Sequence, residues 1–204
     1  MGMTARPHDL LRLAGDAALG TALPDWATAS LAACPWAVVR RAPHPPGLIP
    51  IGVRGPSRWQ RHATLVPVGA VTRRVPPEEL NQQHLRHRRL AVTLSAAGLR
   101  LAAELGGGAV WGPIGSVGFE LATGQPATRP ASDLDLLVRT PHKLTPAVAA
   151  RLMTAFAALP STVDCQLETP CGGISLAEWA RTGGPVMVRT GHGPELVDDP
   201  WVLA

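Results

Sequence analysis

Apolar side chains recur at helical spacing at Leu90, Leu94, Ala97, Leu101 and Leu105, which predicts a long helix with one buried face. Gly106-Gly107-Gly108 stops it. Upstream, Pro76-Pro77-Glu78-Glu79 is a helix-start signal, with proline in the first turn and acids at the positive end of the dipole. Before that point the pattern is different. AVVRRA (37–42) and LIPIGVRG (48–55) read as strands, residues 63–75 look extended, and residues 8–14 read as a short helix. Beyond residue 105, short elements alternate. AVWGP (109–113) reads as a strand, Ser116 onward as a short helix ended by Gly124-Gln125-Pro126, and DLDLLVR (133–139) as a strand. Thr145 with Pro146 opens a helix whose Val148, Leu152, Phe156 and Leu159 share a face. TVDCQLE (162–168) alternates as a strand, SLAEWAR (175–181) is a helix, and VMVRT (186–190) is a final strand. The expectation is an α/β (α+β) chain: a small β-rich N-terminal domain over 1–80 and a mixed sheet flanked by helices over 81–204.

Length and composition agree with globular domains: 204 residues, 46% hydrophobic and 17% charged. No apolar run reaches the length of a membrane span, and the N-terminus lacks the apolar core of a signal peptide, so a cytoplasmic location is expected. Cys34, Cys165 and Cys171 match no zinc spacing and read as free thiols. The net charge of +4 is unevenly divided. Residues 1–100 carry 13 arginines against five acids, whereas residues 101–204 carry six basic residues against ten acids. That division suits an anionic partner held over a cation site. With two Phe and no Tyr to stack on bases, nucleic acid is not the expected partner.

The acids carry the chemistry. On a strand, residues two apart face the same side, so Asp133 and Asp135 point one way while Leu134 and Leu136 point into the core. Both carboxylates then reach the same one or two hard cations, Mg²⁺ or Mn²⁺. In TVDCQLE, Val163, Cys165 and Leu167 share one face and Asp164, Gln166 and Glu168 the other. Asp164 is the candidate third acid, with Glu168 its competitor. Gly115-Ser116 sits at a strand-to-helix junction, where a bare backbone, free N–H groups and a hydroxyl suit a phosphate. Each feature alone is ordinary: a lone D-x-D, an isolated Gly-Ser turn and a single strand acid are common on surfaces. Their order along the chain makes them a site. Glu120 is a candidate for orienting the Gly-Ser loop or touching substrate.

That order resembles the nucleotidyltransferase superfamily, in which a Gly-Ser loop and three acids hold metal and triphosphate. The 16 residues between Ser116 and Asp133 are many for that pattern and leave an extra loop, 125–132. The longer blocks WGPIGSVGFELATG, SDLDLLVR, VDCQLET, GGISLAEWAR and GPELVDDPW, with RPHDLL and IGVRGPSRWQR upstream, resemble the bacterial phosphoribosyl-dephospho-CoA transferases, the holo-(acyl carrier protein) synthases of malonate decarboxylase. The resemblance implies a donor, 2'-(5''-triphosphoribosyl)-3'-dephospho-CoA, an acceptor serine on the acyl carrier subunit, and departure of pyrophosphate. It implies Asp133 and Asp135 as Mg²⁺ ligands, Asp164 as a third acid that helps activate the serine, and Gly115 and Ser116 on the triphosphate. Arg54, Arg58 and Arg61 suit donor phosphates by their fork geometry, or form a solvated basic surface. HLRHRR (84–89) reads first as an exposed basic helix face, with carrier docking or metal ligation by His84 and His87 behind it. Trp111, Trp179 and Trp201 read as packing residues. The alternatives are transfer of a nucleoside monophosphate from ATP, and a non-catalytic binding module.

Overall fold

The computed structural model describes residues 4–14, 23–57, 59–81, 85–106 and 108–203. The chain forms two compact units, Met1–Pro76 and Pro77–Ala204.

The first unit is an antiparallel sheet of β1 (Leu10–Leu13), β2 (Trp36–Val39), β3 (Leu48–Arg54), β4 (Arg61–Pro67) and β5 (Val71–Val75), in the order β4-β3-β2-β1-β5. Alternation decides its faces. Ile49, Ile51 and Val53 of β3 turn inward with Leu11, Leu13, Val39 and Val66, against Ala27 and Leu31 of helix α1 (Asp25–Ala33). The helix expected over 8–14 is instead β1. Leu is a good helix former, but this segment lies between β2 and β5, and pairing on both edges outweighs intrinsic propensity. Helix α1 had no signal in the pattern, because only Ala27 and Leu31 of its nine residues are buried.

The second unit is a six-stranded mixed sheet, ordered β11-β10-β9-β8-β7-β6. Its strands are β6 (Val110–Pro113), β7 (Leu134–Arg139), β8 (Val163–Thr169), β9 (Gly172–Ser175), β10 (Val186–Arg189) and β11 (Pro194–Val197). Strands β7 and β8 are parallel and the other pairs antiparallel. Helices α2 (Arg88–Glu104), α3 (Gly115–Thr123), α4 (Pro146–Ala157) and α5 (Leu176–Thr182) complete the unit. Leu90, Leu94, Ala97 and Leu101 of α2 join Leu152 and Phe156 of α4, Trp179 of α5, and Leu134, Leu136, Val138, Cys165 and Leu167 of the central strands in one core. The expected cap at Thr145 forms, its Oγ1 accepting from Val148 N; Ser175, read as the first helical residue, is instead the N-cap of α5.

Three expectations are corrected here. Pro77–Glu79 forms only a single 3-10 turn, and α2 begins at Arg88. The turn is seated on the sheet: the Pro77 carbonyl lies where a Cβ on Gly112 would be. VMVRT is not the last strand, since β11 follows it, and GGIS adds β9 between β8 and β10. Finally, His87 is the N-cap residue of α2 and not part of a helix face, and His84 lies outside the described residues.

The tryptophans pack as expected. Trp179 is fully buried and donates to the Leu144 carbonyl, 2.7 Å, while Trp201 donates to the Thr140 carbonyl, 3.0 Å. Trp111 covers Gly98, where a Cβ would meet its ring at 2.8 Å. The three thiols are free, and burial raises the pKa of each. Among the described residues, no helix is long and apolar enough to cross a membrane.

Candidate active site

Register brings the acids together. In the parallel β7–β8 ladder, Asp135 lies directly opposite Asp164, with their backbones roughly 4.8 Å apart. Both belong to the face opposite the core, because Leu134, Leu136, Val163 and Cys165 are buried on the other side. Glu168 is opposite Arg139 instead, four residues further along the ladder. Of the two candidates for third acid, the register therefore sets Asp164 beside Asp135. Like charges directly opposed on neighbouring strands are destabilising.

Gly115 joins the pair to the loop. Strand β6 ends at Pro113, and the Ile114 N–H donates to the backbone carbonyl of Asp135 itself, 2.9 Å, which hooks the loop onto the acid-bearing strand. Gly115 follows with φ +61, in the left-handed region. A Cβ there would stand 2.0 Å from Asp135 Oδ2. Glycine is thus required twice, by backbone conformation and by the carboxylate lying against it. Helix α3 starts at this residue and has no side-chain cap. Its first-turn N–H groups have no acceptor within the helix, and they mark the positive end of the dipole. Ser116 is half-buried in the same turn. One carboxylate and one anion-seeking helix end consequently share a single spot.

Asp133 sits one residue before β7 and is exposed, as is Asp164. Among the described residues, no group of three or more His, Cys, Asp or Glu side chains is placed to hold a metal ion. The arrangement is a facing pair with a further carboxylate at the mouth of the strand.

Two residues that organise this mouth were not assigned these roles by pattern. The Arg89 guanidinium donates to the Ser132 and Pro160 carbonyls, both at 3.2 Å. It thereby ties the start of α2 to the segments leading into β7 and β8. Nothing local marks it: its carbonyl partners are 43 and 71 residues away. Glu120 is buried, and its Oε2 accepts from Ala127 N, Thr128 N and Thr128 Oγ1 at 2.8–2.9 Å. It therefore organises the extra loop, 125–132, that leads to Asp133. Burial pushes the Glu120 carboxyl upward, but these three donors and the charge of Arg86 outweigh it and hold the group below its ordinary value.

The remaining candidates lie in the first unit. Arg54 ends β3, Arg61 begins β4, and the two are directly opposite. Arg58 lies outside the described residues.

Comparison with known proteins gives this geometry a lineage. Residues 79–200 match the family described as phosphoribosyl-dephospho-CoA transferase MdcG C-terminal domain, and residues 6–77 match its N-terminal domain. The chain belongs to the phosphoribosyl-dephospho-CoA transferase family. Among curated members of that family, the transferase of Pseudomonas aeruginosa PAO1 is 43% identical, aligned over 97% of this chain and 94% of its own length. That of Azotobacter vinelandii DJ is 42% identical over 96% and 94%, and that of Pseudomonas putida 39% over 97% and 96%. No solved structure matches the chain. Membership makes this a transferase fold, and the resemblance read from the sequence blocks agrees with it.

Proposed function

We propose that this chain transfers the phosphoribosyl-dephospho-CoA group from 2'-(5''-triphosphoribosyl)-3'-dephospho-CoA to a serine hydroxyl on the acyl carrier subunit of malonate decarboxylase. The serine oxygen forms a bond to the α-phosphorus, the bond from that phosphorus to the bridging oxygen breaks, and pyrophosphate leaves with that oxygen. The single observation that carries the reading is the contact between Asp135 Oδ2 and the Cβ-less Gly115, with Asp164 facing Asp135 across the ladder.

These residues fit a hard divalent cation, Mg²⁺ or Mn²⁺. The donors are carboxylate oxygens, the ligand type that such a cation prefers. Asp135 and Asp164, the facing pair, would hold the ion, with Asp133 one residue before the strand as a further carboxylate at its mouth. Such an ion supplies charge neutralisation at the transferring phosphate and lowers the pKa of the attacking hydroxyl. The chain does the rest. Gly115 gives the Asp135 carboxylate its place against the backbone, and the α3 N-terminus and the Ser116 hydroxyl hold the departing pyrophosphate. Asp164, exposed on its strand, accepts the serine proton. Glu120 and Arg89 fix the two ends of the segment that carries Asp133.

The test is the intact mass of the apo carrier subunit after incubation with this protein, Mg²⁺ and the triphosphoribosyl donor, with ATP as a parallel donor. A gain equal to the donor less pyrophosphate is the expected result. A gain matching AMP would replace this reading by nucleotidyl transfer from ATP. No gain from a folded sample would overturn both.

A further inference from the structure

Register also arranges the N-terminal sheet. Arg61 of β4 is opposite Arg54 of β3. Strands β2 and β3 pair at Val38–Gly52 and Val39–Ile51, and alternation from Val38–Gly52 puts Trp36 of β2 on the same face as Arg54. Trp36 is opposite Arg12 of β1, and Arg12 is opposite Arg73 of β5. Directly opposed residues share a face. One transverse row, Arg61–Arg54–Trp36–Arg12–Arg73, therefore crosses all five strands on a single face, its two arginine pairs flanking the buried Trp36. All four arginines are exposed. Arg12, Arg61 and Arg73 make no side-chain hydrogen bond or ion pair with the described residues.

The sequence of the first unit is strongly basic. The first unit holds nine arginines against three aspartates, Asp9, Asp16 and Asp25. Of these, Asp9 is fully buried and holds Arg74 at 2.8 Å, and Asp25 lies in the first turn of α1. Opposed like charges cost stability, yet this sheet carries two such pairs. Beyond Arg54 and Arg61 the hairpin turns, and its tip presents Trp59, 83% exposed. The tip is built tightly. Gly55 N donates to the Gln60 carbonyl, Ser57 N donates to Gln60 Oε1, and a Cβ on Gly55 would meet the Trp26 ring at 2.7 Å. Exposed Trp and Arg are the side chains enriched at energetic centres of protein interfaces.

We propose that this face docks the acidic surface of the carrier subunit, the row meeting carboxylates and Trp59 serving as an apolar anchor. The proposal rests on the transfer reading above, which supplies the partner. Four strand spacings make the row roughly 19 Å long. With Trp59 at one end it has the extent and the composition of a protein-docking surface, and the donor, which carries phosphates at two separate places, is told apart from the carrier by experiment.

The experiment measures binding of the apo acyl carrier subunit to the full chain by anisotropy across a salt series, independently of transfer. The variants are Arg12→Glu and Arg73→Glu. Each turns an opposed like-charge pair into an attractive one, so the fold is preserved. The expected result is a carrier Kd about tenfold weaker for each variant, with a shallower salt dependence, while binding of the triphosphoribosyl donor is unchanged. An unchanged carrier Kd, or no carrier binding by the wild type, would overturn the docking surface even if transfer occurs. Loss of donor binding alongside carrier binding would overturn it too, because the row would then serve the donor. Wild-type binding of a random DNA duplex that competes with the carrier and is weakened by the same variants would reassign the row to nucleic acid. Failure of the mass-gain test with the carrier Kd still dependent on Arg12 would sink the transfer reading and leave the docking face standing.

Discussion

The two sheets use one device with opposite sign. In the N-terminal sheet, cross-strand register lines up arginine against arginine; in the C-terminal sheet it sets aspartate against aspartate. Both arrangements work against stability. The difference lies in their setting. The aspartate pair has a helix N-terminus and a bare glycine against it, so it is compact and suits a small cation with a phosphate. The arginine row lies along the width of a sheet, with an exposed tryptophan at one end, and it suits a surface. Like charges brought together by a fold mark where a ligand supplies the missing sign, and their spacing indicates the size of that ligand.

The comparison breaks most sharply at Asp135. Asp135→Asn is expected to reduce transfer by a factor on the order of a thousand, because in the proposed mechanism its carboxylate would hold a cation that supplies several kcal/mol in the transition state. Thermal unfolding should be unchanged or slightly higher, since the opposed charges are gone. A rate within tenfold of wild type would remove the acid pair from the chemistry. Gly115→Ala is expected next in size. The added methyl meets Asp135 Oδ2 and requires a left-handed backbone, which itself costs about 1 kcal/mol. Transfer should fall about a hundredfold with a Tm drop of a few degrees.

Glu120→Ala should lower stability in urea by about 1–3 kcal/mol, because it leaves the Ala127 and Thr128 N–H groups without their acceptor. The pH dependence has a definite sign. The Glu120 carboxyl sits below its ordinary value, so its contribution is complete above that ordinary value and is lost as pH falls through the lowered one. Glu120→Gln should flatten that acid limb. Arg89→Ala should reduce kcat by about tenfold while shifting stability by less than about 1 kcal/mol, since its two hydrogen bonds are exposed. The smallest effect sharpens the other side of the comparison. Arg12→Glu should raise stability by about 0.2–1 kcal/mol by pairing with Arg73 while carrier binding weakens. Stability and binding moving in opposite directions is the signature of charge kept for a partner.

Much of the C-terminal unit was legible in the chain. Thr145-Pro146, the triple glycine and the alternation of TVDCQLE each report local geometry, and they mark α4, the end of α2 and β8. The N-terminal unit was less legible. LLRL has no local signature that separates helix from strand, and it became β1 only because partners were available on both edges. Pro76-Pro77-Glu78-Glu79 carried a true helix-start signal, but it opened one turn. That turn depends on the bare backbone of Gly112, some 35 residues away.

The same division holds at the site. The sequence by itself determined which side chains share a face of their own strand, because alternation is a property of a single strand. It also determined that a Gly-Ser turn leads a helix and that an acid-bearing strand pattern follows it in the chain. Tertiary structure alone decided which strand lies next to which, and in what register. That choice set Asp164 rather than Glu168 against Asp135, set Asp135 against Gly115, and drew Arg61, Arg54, Arg12 and Arg73 from four separate strands into one row. Register is fixed by burying an apolar face shared between strands, and no short stretch of sequence contains both partners.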